Sequence, residues 1–461
     1  MAEIKLRPYQ EKILNELKNV SAIGLFMGTG TGKTFTSIHR YFNNPTQNLL
    51  IVCPHNVLEQ WRDVLVSNFP NKFNILEFKG SWSGEKKNEA ILNQWNKYNT
   101  IIVNFEILHK LTNLLTTLSE NWTIIIDESH RIKDAEVKKY KDGKQMTKTT
   151  RMALDLGELT PWKIILTATP TQGEFGGYID FYSQLKFLGY IDLSLKDFKN
   201  KYALIKDKVI WGIPYPIKTI VGYKNTNEID RILKLSCRYY ESKFGDFEPQ
   251  HTYITIDKCN SYNKTKRERS YKDIILSNSA RKRIALKTLT TGTIMGKDFY
   301  SVDKVYEDNE NKINWLREFL QDTNETVAIY YQYNVELASL EKLMKKLGKK
   351  YIVVNGATKD PYSAINKETY SVMLGQFQTA SQSLDGLQHK CHIMIMFSMP
   401  ESSLLYKQSL GRINRDGQEK VPMYYYLIME KTIDVDIAEM IKNKIEFSEE
   451  TLERIVIKDE T

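Results

Sequence analysis

The segment Met27-Gly28-Thr29-Gly30-Thr31-Gly32-Lys33-Thr34 follows an apolar run and opens a helical pattern. Its glycines free the backbone to turn several N–H groups toward one anion, and Lys33 adds a positive charge. Thr34 carries a hydroxyl where a magnesium ligand would sit. Met27 departs from the glycine that a strict phosphate loop has there. Further on, Asp127-Glu128-Ser129-His130 follows Ile124-Ile125-Ile126, which puts two carboxylates at a strand end. A phosphate cradle and paired acids together suit phosphoryl transfer to water. Gly28, Gly30, Thr31, Gly32 and Lys33 would hold phosphates, Thr34 and Asp127 would hold Mg2+, and Glu128 would polarise the attacking water. A countercharge comes from the segment 408–418, where Arg412 and Arg415 stand three apart and helical spacing puts both on one face. Taken alone, those arginines also admit the reading of a surface salt-bridge pair.

The elements that must position these residues alternate short apolar runs with longer helical patterns, as in a parallel sheet covered by helices. Strands are predicted at 23–26, 49–53, 100–103, 123–126 and 163–166, and a second set at 327–331, 351–354, 393–397 and 423–428. Ligands gather at the carboxyl ends of such strands, where the first-lobe motifs lie. Between the sets, from about Glu174 to Lys304, helical spacing dominates, notably at 180–188 and 262–286. Within it, residues 209–221 nearly alternate and predict a hairpin. Trp211 there is either a stacking wedge or core. The segments 264–269 and 281–283 are basic, and read either as added grip or as solvated helix faces.

Lys and Arg total 65 against 56 Asp and Glu, a net charge of +9, which permits a polyanionic partner without requiring one. The four cysteines have no metal-ligand spacing and read as buried free thiols in a reducing compartment. Met1–Lys5 lacks the apolar core of a signal peptide, and no apolar stretch is long enough to cross a bilayer. A bacterial or host cytoplasm and no membrane partner are therefore expected.

Several further segments stand in a fixed order with these. Leu6-Arg7-Pro8-Tyr9-Gln10 precedes the cradle. Ile51-Val52-Cys53-Pro54 continues to Gln60-Trp61, and Asn104-Phe105-Glu106 follows. The acidic box extends through Arg131-Ile132-Lys133, then comes Leu166-Thr167-Ala168-Thr169-Pro170. Ile329-Tyr330-Tyr331-Gln332-Tyr333 and Gln408 to Gln418 complete the series. In this succession, over nearly its whole length, the chain resembles superfamily-2 helicases and translocases, most closely the SWI/SNF-like branch in a small viral or bacterial form. Ala168 stands where that branch often has glycine. The segment 381–388 lacks the branch's run of glycines, so only Gly386 and Gln388 carry over.

The resemblance implies an α/β fold of two RecA-like parallel-sheet lobes in tandem with a mostly helical insertion. The expected divisions are 1–175 for the first lobe, 176–305 for the insertion, 306–440 for the second lobe and 441–461 for a helical tail. It implies ATP and Mg2+, with Gln10 on the adenine, Gln408 at the nucleotide, and Arg412 and Arg415 as fingers from the second lobe. It also implies nucleic-acid contacts from the loops after strands: Pro54, His55, Asn104, Phe105, Gln332, Thr358 and Gly386. The expected activity is a DNA-stimulated ATPase moving on duplex DNA, with replication or recombination proteins as partners and a phage or mobile element as its setting. An RNA helicase, or an ATP-gated clamp that does not travel, uses the same residues.

Overall fold

The computed structural model describes residues 5–453 apart from 29, 80, 133–137, 141–142, 146–147, 172–176, 209–215, 241–246, 359, 382–385 and 416. The chain forms two compact units, Met1–Ser242 together with Glu446–Thr461, and Lys243–Ile445.

In the first unit the strands are β1 (Ala22–Met27), β2 (Asn48–Cys53), β3 (Ile75–Leu76), β4 (Thr100–Asn104), β5 (Trp122–Asp127), the short pair β6 (Lys138–Tyr140) and β7 (Gly143–Gln145), β8 (Lys163–Thr167), the hairpin β9 (Ala203–Lys208) and β10 (Ile217–Tyr223), and β11 (Cys237–Tyr240). Seven of them make one parallel sheet in the order β11-β1-β8-β5-β2-β4-β3. Their unbroken apolar runs follow from burial on both faces. Along β2, Leu50 and Val52 join one core while Leu49, Ile51 and Cys53 join the other. Ile124 and Ile126 of β5 likewise face away from Ile125, the two-residue alternation of a strand. Gly24 is required by its neighbour: a Cβ there would lie 2.6 Å from Cys237 Sγ of β11.

The second unit holds β12 (Gln250–Ile256), β13 (Ser270–Tyr271), β14 (Ile274–Ile275), β15 (Thr293–Lys297), β16 (Asp303–Glu307), β17 (Val327–Tyr331), β18 (Tyr351–Val354), β19 (Val372–Gln376), β20 (Ile393–Met396) and β21 (Met423–Met429). Six form a parallel sheet, β12-β21-β20-β17-β19-β18, over one large core. The molecule is thus two parallel α/β sheets in tandem.

The segment 176–305 is not mostly helical. It carries the helices Tyr178–Leu188, Leu195–Tyr202, Asn227–Ser236, Ser261–Glu268 and Ser279–Thr290, but also β9 to β15 and part of β16. Its first part belongs to the first unit and its remainder to the second. The helix expected over 262–286 is broken by the β13–β14 hairpin. Arg269 and Lys272 take left-handed backbone there, at φ +54° and +52°, which ends helical propagation. An antiparallel hairpin does form, but from β9 and β10, whose strands begin before and end after the 209–221 expected; residues 209–215 lie outside the described residues. Trp211 lies outside the described residues.

A buried ion pair ties the second unit together. Lys312 Nζ donates to Asp434 Oδ2 at 2.7 Å and to the Phe397 carbonyl at 3.0 Å. Asp434 also accepts from Thr290 Oγ1 at 2.9 Å and Met429 N at 3.1 Å. Both charged side chains are essentially inaccessible. Among the described residues no helix is long and apolar enough to cross a membrane.

Two outcomes follow. Asp434→Ala leaves the Lys312 ammonium buried without its counter-charge and should cost about 3–5 kcal/mol in urea unfolding. All four cysteines are buried, and burial pushes the Cys237 and Cys391 thiols up to about 12. They should resist a thiol reagent at pH 8 in the native protein and react fully in guanidinium.

Candidate nucleotide site

β1 ends at Met27 and the chain turns into the ten-residue helix Lys33–Phe42. The turn depends on left-handed backbone at Gly30 and Gly32, φ +74° and +75°. A Cβ at position 32 would also lie 2.5 Å from Gln10 Nε2. No side chain caps this helix, so its first-turn N–H groups face the loop as an anion site. Met27 is fully buried in the core beneath and contributes its carbonyl. The Lys33 ammonium rests on the carbonyls of Met27 and Gly28, at 2.8 and 3.0 Å.

The cradle is braced from behind. Thr31 Oγ1 donates to the Gly28 carbonyl at 2.7 Å, and Tyr9 Oη and Gln10 Nε2 donate to the Thr31 carbonyl at 2.8 and 3.0 Å. Gln10 Oε1 accepts from Arg7 N at 2.8 Å. Gln10 is therefore buried and committed to the loop. Tyr9 stacks on Tyr240 with ring centres 3.9 Å apart.

β8 lies between β1 and β5, with Leu166 in register with both Leu25 and Asp127. Two strand spacings, about 10 Å, thus separate the cradle's strand from the acidic one. Asp127 accepts from Trp61 Nε1 through Oδ2 and from Glu128 N through Oδ1, both at 2.9 Å. Glu128 adopts φ +53°, a conformation non-glycine residues rarely take. Its Oε2 lies 3.1 Å from His130 Nδ1. His130 Nδ1 is also 3.2 Å from Thr167 Oγ1, which accepts from Thr169 N at 3.1 Å. Burial and the neighbouring Glu128 charge raise Asp127 to about 6, against the Trp61 bond and Lys33. Burial acts upward on Glu128 too, but the bond to His130 and its charge, with Lys33, bring that acid down to about 2. Ser129 Oγ donates to Gln184 Oε1 at 2.8 Å, and Gln184 Nε2 donates to the Pro170 carbonyl at 2.9 Å. The acidic box is so fastened to the segment after β8.

Near the ends of β2 and β4, His55 is exposed and Pro54 buried. Asn104 Nδ2 donates to Glu106 Oε2 at 2.9 Å and lies 3.5 Å from His55 Nδ1. Arg131 pairs with Glu106 at 3.1 Å. Phe105 departs from expectation: it is 4% exposed, packed in the core with Arg131 over its ring, and offers no face to a ligand.

In the second unit Gln332 follows β17 and its N–H bonds Glu336 Oε2 at 2.8 Å. Thr358 closes the turn after β18, donating to the Val353 carbonyl and accepting from Asn355 N. Gly386 is left-handed, φ +96°; residues 382–385 beside it lie outside the described set. Gln408, on the helix Ser403–Leu410, is buried, and its Oε1 has no hydrogen-bond partner among the described residues. Arg412 and Arg415 do not share a helix face. The helix ends at Leu410; Gly411 is a poor helix former, and Arg412 N and Asn414 N close turns onto the Ser409 and Leu410 carbonyls. Of the basic segments, 264–268 forms part of the helix Ser261–Glu268, and Arg283 pairs with Glu401 at 3.1 Å.

Residues 3–172 match the family described as "Type III restriction enzyme, res subunit". The zebrafish (Danio rerio) chromodomain-helicase-DNA-binding protein 1-like is 28% identical over 226 residues, 45% of this chain and 20% of that one. The Bacillus subtilis uncharacterized ATP-dependent helicase YqhH is 21% identical over 425 residues, 88% of this chain and 71% of that one. The chain is thus similar, over its first third by family and over most of its length by relatives, to helicases of the SWI/SNF-like kind. The chain spans from a fifth to about seven-tenths of the length of these two relatives. The Sulfolobus solfataricus SWI2/SNF2 ATPase core in complex with dsDNA aligns over 99% of this chain and 97% of its own, at 16% identity and a TM-score of 0.43.

The residues of this site fit a magnesium nucleotide. The unblocked helix start and Lys33 suit phosphates, and two crowded acids raise the proton affinity of Asp127 in the way a nearby cation would relieve. Among the described residues no group of three or more His, Cys, Asp or Glu side chains is placed to hold a metal ion by itself. An ion here would need the Asp127 carboxylate, the Thr34 hydroxyl and phosphate oxygens together. Trp61, His130, Thr167 and Gln184 are functional neighbours that the motif reading left without roles. Gln184, a polar residue within the apolar helix 178–188, gave a visible signal; Trp61 and His130, set among polar residues, gave none. Trp61→Phe removes the donor that orients Asp127, and should raise the Mg2+ concentration needed for half-maximal ATP hydrolysis roughly tenfold, checked by metal titration at saturating nucleotide.

Proposed function

We propose that the chain couples ATP hydrolysis to movement along duplex DNA. The observation that carries the hydrolytic part is the pairing of Glu128, left-handed and held low by His130, with Asp127 at the end of β5. A carboxylate kept ionised is a competent acceptor for a proton from water. Asp127, oriented by Trp61, and the Thr34 hydroxyl would hold Mg2+, whose charge when bound neutralises the phosphate oxygens. Lys33 and the N–H groups opening the helix Lys33–Phe42 would hold the transferred phosphate. Arg412 and Arg415 would supply the transition-state countercharge from the second unit, with Gln408 beside them at the nucleotide.

The DNA part is supported by the extended acidic box, by the segment 408–418, by the +9 net charge, and by a relative whose name describes a DNA-binding helicase. Grip would come from phosphate contacts, since a motor must tolerate every sequence. His55, Asn104, Gln332, Thr358 and Gly386 are the proposed contacts. DNA replication or recombination in a phage or mobile element is the proposed setting.

ATP hydrolysis should rise with duplex DNA, and the protein should strip the third strand from a triplex; stimulation by RNA alone, or an intact triplex, overturns the reading. Glu128→Gln should retain ATP binding with turnover below about 1%, and Lys33→Ala should lose both. Arg415→Ala should cut turnover by roughly a thousandfold with DNA affinity nearly unchanged, read by ATPase rate beside filter binding.

A further inference from the structure

In the second unit β15 and β16 form an antiparallel hairpin with Thr293 opposite Glu307 and Lys297 opposite Asp303. At its tip Phe299 is 79% and Tyr300 84% exposed. Their rings meet edge to face, centres 5.6 Å apart. The tip is a built turn. Asp298 Oδ1 accepts from Tyr300 N and Val302 N, both at 2.9 Å, and Asp298 N donates to the Val302 carbonyl at 2.9 Å. Ser301 takes the left-handed conformation that closes it, φ +64°.

The stem is anchored as well. Gly296 passes so close to Ile274 of β14 that a Cβ would collide with its side chain. The Lys272 ammonium sits 4.3 Å from the ring centre of Tyr306. Lys297 and Lys304 flank the tip, each 3.6 Å from a carboxylate, the exposed Asp303 and the largely buried Asp298. The exposed Lys297–Asp303 pair holds little energy. The helix Ser279–Thr290 packs on β15. On it the charges of Arg269 and Lys266, after burial, hold Lys282 below its ordinary value, so three cations are gathered near one another.

Two large rings held out on a rigid turn are unusual for a surface. A stable protein interface needs about 800 Å² per partner, far more than two rings present. A nucleobase needs only one ring face, and base–aromatic stacking ignores sequence. We propose that the β15–β16 tip is a stacking platform for unpaired nucleobases, with Phe299 and Tyr300 as its rings and Lys297 and Lys304 beside the phosphates. This rests on the reading of the chain as a DNA-tracking ATPase, and adds that it engages unpaired strands.

The test compares the wild type, Phe299→Ala/Tyr300→Ala and Phe299→Tyr/Tyr300→Phe on a single-stranded oligonucleotide containing 2-aminopurine and on a blunt duplex. The wild type and the aromatic exchange should quench the fluorophore. The double alanine variant should lose the quench and bind the single strand about tenfold or more weakly, following ~1–3 kcal/mol per stacked base, with blunt-duplex affinity within about twofold. Equal single-strand binding by the alanine variant overturns the platform, as does an equal loss on both DNAs. Self-association that the alanine variant abolishes assigns the rings to a second copy and also overturns it. A wild type that binds no DNA sinks the parent reading, a different result from binding DNA without need of the rings. If the double variant lowers the melting midpoint, Tyr300→Ser carries the same comparison.

Discussion

Two adjacent carboxylates share the half-buried end of β5, and the groups around them answer their mutual repulsion. Like charges so close cannot both ionise cheaply away from water. The fold separates them by environment. Asp127 receives an indole N–H and a backbone N–H yet stays raised to about 6, while Glu128 is turned by its positive φ toward His130 and drops to about 2. Different surroundings give two like groups different tasks. One is poised for a cation and the other for a proton.

That arrangement is useful only because the cradle stands at the same end of the same sheet. Parallel pairing of β1, β8 and β5 puts all three carboxyl ends together. The loop after β1 is held open by glycine conformations that other residues resist, and by Tyr9 and Gln10 bonding its carbonyl from behind. His130 joins the acids to Thr167 at the end of β8. A change in charge at Glu128 is therefore felt directly by the segment that follows that strand.

The second unit shows the opposite uses of polarity. Lys312 and Asp434 are buried and fully engaged, joining two helices and the end of β20. Such a pair gives specificity of assembly more than stability. Phe299 and Tyr300 are apolar and left outside. The first departure is explained by the packing it fixes. The second contributes nothing to the packing of the unit, which is why a ligand is proposed for it.

The nine strands expected from apolar runs all form, because a run buried on both faces is a local signal. Of the strands in the two large sheets, β3, β11 and β12 escaped notice because they are short or partly polar and lie at sheet edges, where a neighbour holds them; β19 was missed although it is apolar and lies between β17 and β18. Cys237–Tyr240 is the clearest case, since it pairs with β1 from far along the chain. The placement of Lys33 at a helix start after β1, and of Asp127 and Glu128 at the end of β5, was legible because glycine-rich turns and strand-end charges belong to residue type and spacing. The helical spacing of Arg412 and Arg415 misled, because Gly411 ends the helix before both. The partners of the acids, Trp61, His130, Thr167 and Gln184, come from separated segments. Residue order alone determined the parts of the phosphate chemistry and the alternation of strand and helix. Which groups tune the acids, and which rings are left to solvent, was decided by tertiary structure, because contact and burial depend on distances in space.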